Sequence, residues 1–240
     1  MRQLGLLLLV TSLSSCLYAT QPPLRLQNQD VVVGVPQLLP GEVPKGILVF
    51  LHGLSTEPWI EEQEGIAATV EFGVAHGYVV VVPFADRVCA GSQRCWPTKP
   101  DRSSDDAARF AAVLPMLDRV VRDVEKRVGA RGLDRCVVGY SNGGYFLAGA
   151  VERGLLSSWK KVGIAAGGPI GELRTTPLAK APLLSLTAFD DDEFQGPAMV
   201  ALAQRLQGRG VNVALDHQPG AHIWSSEHAV TFLAAFLDVR

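Results

Sequence analysis

Apolar positions fall along this chain in two alternating rhythms. Six short runs are apolar at nearly every position: GILVFL (46–51), YVVVV (78–82), RCVVGY (135–140), VGIAA (162–166), PLLSLT (182–187) and VNVALD (211–216). A strand with one face in water alternates apolar and polar residues. A run that does not alternate is buried on both faces, as in a parallel sheet. Between the runs the apolar period lengthens to three and four. From Asp105 to Val128 it passes through Phe110, Val113, Leu114, Leu117, Val121, Val124 and Val128, which predicts a long amphipathic helix that Pro115 should kink or divide. Shorter helical patterns cover 142–153 and 226–238. Residues 197–207 lie between Pro197 and Gly208, a usual start and stop for a helix. This alternation predicts an α/β fold, with a mostly parallel central sheet and helices on both faces. No linker interrupts it, so residues 30–240 read as one domain.

The amino terminus does not share the rhythm. MRQLGLLLLVTSLSSC has a cation at Arg2, an apolar stretch from Leu4 to Val10, then small residues. That is the layout of an export signal, too short to span a bilayer as a permanent helix. Residues 1–15 are expected to be the signal and 16–29 a tether. Leu13-Ser14-Ser15-Cys16 resembles the lipobox of bacterial lipoproteins, in which the cysteine becomes the lipidated first residue. The expectation is therefore an exported, membrane-anchored lipoprotein. The alternative is plain periplasmic or secreted export, with Cys16 lost along with the signal.

Composition narrows the function classes. The 240 residues suffice for one sizeable core, and 48% hydrophobic with 19% charged residues is a globular balance. A net charge of -2 supplies no basic field for nucleic acid. In an exported chain Cys89 and Cys95, which bracket the loop CAGSQRC, are expected to pair as a disulfide. Their spacing is not CxxC and no histidine lies nearby, which argues against a metal. Cys136, inside an apolar run, reads as a buried core thiol. There is no glycine-rich phosphate loop and no metal-ligand cluster in the sequence, so neither a metal nor an organic cofactor is expected.

Ligands of open parallel sheets bind beyond the carboxyl ends of the strands. Residues just after the apolar runs therefore carry the candidate chemistry. They are His52-Gly53-Leu54, then Gly139-Tyr140-Ser141-Asn142-Gly143, then Asp190-Asp191-Asp192, and last Gly220-Ala221-His222-Ile223-Trp224. The second is a G-x-S-x-G nucleophile elbow. Its serine needs a sharp strand-to-helix turn, and the glycines leave room for the crossing backbone. The helix that follows aims its amino terminus, with free N–H groups and a favourable dipole, at the same point. A serine between glycines, an acidic triplet or a late histidine is each unremarkable alone. Together, in the order Ser…Asp…His and all at strand ends, they point to nucleophilic catalysis. His76, His217 and His228 are ordinary by comparison; His217 is the nearest rival base but falls in or beside a strand.

On these residues the chain resembles the α/β-hydrolase family, over nearly all of its length from about residue 30. The stretches LVFLHG, GYSNGG and GAHIW are most similar to secreted esterases related to polyhydroxybutyrate depolymerases and feruloyl esterases. The resemblance implies Ser141 as nucleophile, His222 as general base and an aspartate after residue 187 as orienting acid. The N–H groups of Leu54 and Asn142 would form the oxyanion hole, and His52 would be structural. The family's acid spacing, with Ala188 as the small residue and Phe194 as the apolar anchor, selects Asp191, then Asp190, then Asp192.

The implied reaction is cleavage of a small or polymeric carboxylic ester. Rival classes are a peptidase on the same scaffold and a non-catalytic exported binding protein. About fifteen residues separate the runs at 162–166 and 182–187, too few for a large cap domain. Trp96, in the loop after residue 83, and Trp224 are candidates to line the substrate pocket, with plain packing as the other reading of each.

Overall fold

The computed structural model describes residues 24–26, 29–57, 62–86, 93–98, 104–169 and 182–238. Among these, eight strands form one sheet: β1 (Leu24–Leu26), β2 (Gln29–Gly34), β3 (Gly46–Leu51), β4 (Tyr78–Pro83), β5 (Arg135–Tyr140), β6 (Lys161–Ala165), β7 (Leu183–Phe189) and β8 (Val213–Gln218). Their spatial order is β1-β2-β4-β3-β5-β6-β7-β8. β1 and β2 join antiparallel, β2 lies antiparallel to β4, and every ladder from β4 to β8 is parallel.

Among the described residues five helices cover the sheet: α1 (Gln63–Ala75), α2 (Ser104–Arg127), α3 (Asn142–Glu152), α4 (Gln195–Gln207) and α5 (Ser226–Phe236). The central strands explain why both faces are covered. In β3, Ile47, Val49 and Leu51 enter the core shared with α2, α3 and α4, while Leu48 and Phe50 enter the one shared with α1 and α5. β4 divides in the same way, with Val79 and Val81 on one side and Val80 and Val82 on the other. Each such side chain is worth about 1.5–3 kcal/mol when fully buried, so a central strand stabilises both layers at once.

Pro115 does not divide α2, which runs unbroken from Ser104 to Arg127. Pro115 and Ala111, four residues before it, are both exposed. The carbonyl that the proline leaves without an N–H donor therefore meets water. The last two strands lie further along the chain than the apolar runs suggest. β7 continues through Ala188 and Phe189 because these pair in register with His217 and Gln218 of β8. The acidic loop after β7 accordingly starts at Asp190. No cap domain covers the strand ends among the described residues.

Candidate active site

Strand β5 ends at Tyr140 and helix α3 begins at Asn142, so one residue makes the whole turn. That residue, Ser141, has φ 49° and ψ -113°, a backbone that non-glycine residues rarely adopt. The crossing is close. A Cβ on Gly139 would stand 2.5 Å from the carbonyl oxygen of Gly143, and one on Gly143 would stand 2.3 Å from that of Leu51. Two backbone bonds hold the turn: Ser141 N–H donates to Ala165 O at 2.9 Å, and Gly143 N–H to His52 O at 3.1 Å.

The strained turn presents Ser141 Oγ 2.8 Å from His222 Nε2. On the far side of the ring, His222 Nδ1 lies 2.6 Å from Asp192 Oδ2. A carboxylate only accepts, so the proton sits on Nδ1 and leaves Nε2 as an acceptor for the serine hydroxyl. Asp192 is buried, and its other oxygen, Oδ1, accepts the N–H groups of Gln195 at 2.9 Å and Phe194 at 3.2 Å. One carboxylate thus orients the imidazole with one oxygen and fastens the start of α4 with the other.

The spacing argument chose Asp191, and the structure places Asp192 there instead. With β7 extended to Phe189, the turn brings the third aspartate back toward His222. Asp190 and Asp191 are exposed, and both are bound through their backbones, Asp190 N–H to Gln218 O and Asp191 N–H to Gly220 O. The Asp190 side chain meets His217 at 3.1 Å, away from the serine.

His52, at the end of β3, is fully buried. Ala85 N–H donates to its Nε2 at 3.0 Å, so its proton is on Nδ1, 2.6 Å from Gly53 O. Burial pushes its pKa down to about 4, against the smaller opposing pull of the Gly53 carbonyl. The next amide, Gly53 N–H, is taken by Glu62 Oε2 at 3.1 Å, an interaction that nothing in the sequence marked. The N–H groups expected to bind an oxyanion, those of Leu54 and Asn142, meet no acceptor among the described residues, while Gly143 N–H is already used by His52.

Both tryptophans, expected at the substrate pocket, are buried instead. Trp96 is 2% exposed; its indole N–H donates to His52 O at 3.1 Å, and its backbone N–H donates to Asn142 Oδ1 at 2.6 Å. It braces the elbow from beneath. Trp224 is 3% exposed, stacks on Phe50 with centroids 5.3 Å apart, and donates its indole N–H to Thr69 at 3.1 Å. It anchors the histidine loop to α1. Tyr140 packs against both His222 and Trp224, its ring 5.2 Å from the first and 5.6 Å from the second. Burial first, then the charges of Glu62 and Asp192, raise its pKa and keep the phenol protonated.

Cys95 is buried and disulfide-bonded, and Cys136 is a buried free thiol whose pKa burial raises to about 11. Cys89, the expected partner of Cys95, lies outside the described residues, as does Cys16.

No protein-family model matches the chain, and no curated protein matches it in sequence. Solved structures do match. A carboxylesterase from Bacillus cereus is 15% identical, with TM-score 0.61, over 88% of this chain and 94% of that one. An α/β serine hydrolase without lid from Xanthomonas campestris is 19% identical, with TM-score 0.55, over 88% of each chain. A ferulic acid esterase is 16% identical, with TM-score 0.59, over 85% of this chain and 90% of that one. Strand order, elbow and near-complete coverage of these neighbours agree: this chain has the α/β-hydrolase fold.

Proposed function

We propose that this protein is a serine hydrolase that cleaves carboxylic esters through an acyl-enzyme. The observation that carries the reading is the hydrogen-bonded chain from Ser141 Oγ through His222 to Asp192 Oδ2, with links of 2.8 and 2.6 Å. It stands at the amino terminus of α3, beside two amides with no acceptor among the described residues. Carboxylesterases and a ferulic acid esterase among the structural neighbours support the ester preference.

In this mechanism His222 Nε2 takes the hydroxyl proton as Ser141 Oγ attacks the acyl carbon. Asp192 keeps the ring in the required tautomer and stabilises the imidazolium. The oxyanion accepts the N–H groups of Leu54 and Asn142, each typically worth about 10²–10³ in rate. His222 returns the proton to the departing alcohol. A water, deprotonated by the same ring, then releases the acid and restores Ser141.

The leader supports export with a lipid on Cys16, and a Cys89–Cys95 bond would tie the loop that carries Trp96. The decisive experiment sets p-nitrophenyl esters beside aminoacyl anilides, with fluorophosphonate labelling of wild type and Ser141→Ala. Ester turnover and labelling, both lost in Ser141→Ala, are expected. Faster anilide cleavage would make the protein a peptidase. Absence of labelling in folded wild type would make it a binding protein.

A further inference from the structure

Just beyond the loop that carries His222, α5 places a second histidine. Ser225 starts the helix, its hydroxyl accepting His228 N–H at 3.2 Å, and so sets His228 over the loop. Its ring has a backbone carbonyl at each nitrogen: Nδ1 is 2.6 Å from Ile223 O, and Nε2 is 2.8 Å from Pro219 O. These carbonyls flank His222 on both sides. The ring also stacks on Phe189, with centroids 4.4 Å apart and planes 23° from parallel. Phe189 is the last residue of β7 before the loop that carries Asp192.

A carbonyl oxygen can only accept, and a neutral imidazole has one N–H. Whichever ring nitrogen carries the proton, a carbonyl stands within hydrogen-bond reach of it. Between the carbonyls the chain turns at Gly220, with φ +109°, where a Cβ would approach His228 Nε2 to 3.0 Å. The loop is thus folded closely around the ring.

We infer that His228 is a positioning residue: a clamp that fixes both ends of the His222 loop and seats it on the strand end that carries Asp192. It touches none of the reacting atoms. Its effect is exerted through the placement of His222 Nε2 against Ser141 Oγ, a geometry in which small displacements are costly. This inference rests on the Ser141–His222–Asp192 reading of the site.

The test compares wild type with His228→Phe, which retains the aromatic stack without either donor, and His228→Gln, which retains an amide donor. Steady-state kinetics on a p-nitrophenyl ester, the rate of fluorophosphonate labelling and thermal unfolding are measured for each. Expected for His228→Phe is a kcat lower by about 10- to 100-fold, KM within about twofold of wild type, and labelling slowed in parallel with kcat. His228→Gln should recover part of the loss. Wild-type kcat in folded His228→Phe, a change confined to KM, or failure of both variants to fold would overturn the clamp. Ser141→Ala run alongside separates the two ideas. If Ser141→Ala retains turnover, the catalytic reading itself fails. If it is inactive while His228→Phe is fully active, only the clamp fails.

Discussion

His52 makes folding stability depend on pH in a way that can be isolated from the rest of the chain. Its folded pKa of about 4 lies below the ordinary 6.5, because burial disfavours the charged ring and the Arg94 charge adds to this, against the smaller opposing pull of Gly53 O. The unfolded chain therefore binds that proton first. The stabilisation is complete above about pH 6.5 and is lost as pH falls toward about 4. Each unit of pKa difference is about 1.4 kcal/mol, so at about pH 4.5 the loss from this one ring is about 2.5 kcal/mol. The perturbation is His52→Gln, whose amide oxygen can take the Ala85 N–H and does not titrate. Urea unfolding of both proteins from about pH 7.5 to about pH 4.5 gives two stability curves. Other groups titrate in both, so the difference between curves reports His52. The wild type should lose about 2.5 kcal/mol more than the variant across that range. Parallel curves would refute the argument and show that the folded ring accepts its proton as readily as the unfolded one.

Asp192→Asn should cut ester turnover by up to about 10⁴ with the fold retained, and Asp191→Asn by less than about tenfold, checked by kcat and circular dichroism. Gly143→Ala should lose activity and about 1–3 kcal/mol or more of stability, because the new methyl would meet Leu51 O at 2.3 Å; denaturant unfolding measures it. Peptide mapping without reductant should recover Cys95 joined to Cys89, and breaking that bond should cost about 2–3 kcal/mol. Mass analysis of the exported protein should find lipid on Cys16; an unmodified start at Thr20 or Gln21 would exclude the anchor.

The central strands were legible because burial on both faces writes itself into consecutive residues. Gly46–Leu51 and Arg135–Tyr140 start and stop where their apolar runs do. Ser141 and His222 were legible because a strand end followed by a glycine-flanked or loop position is a local signal. The acid was not. Which aspartate faces His222 depends on where β7 stops, and that depends on pairing with His217 and Gln218, some thirty residues on. Trp96 and Trp224 misled for the same reason. An aromatic beside a site can line it or support it, and here both indole N–H groups find buried acceptors, on His52 and Thr69, that only the folded chain brings near. β2 leaves a fainter trace because only VVV of QDVVVG is apolar, and it joins the parallel strands through β4, fifty residues away. His228 read as one more helix residue. Its importance lies in two backbone carbonyls, and carbonyls leave no trace in a sequence.

The histidine loop rests on elements made much earlier. Trp224 is bonded to Thr69, 155 positions before it, and His222 meets a serine 81 positions before it. During synthesis Ser141 and all eight described strands therefore precede His222 in the chain. In the folded chain the loop is bonded to α1 through Trp224 and to α5 through His228. A chain stalled or cut short before residue 222 would carry Ser141 as an ordinary alcohol. On the proposed function, hydrolytic competence would thus belong to the finished molecule alone, and nascent or broken copies would be inert toward esters.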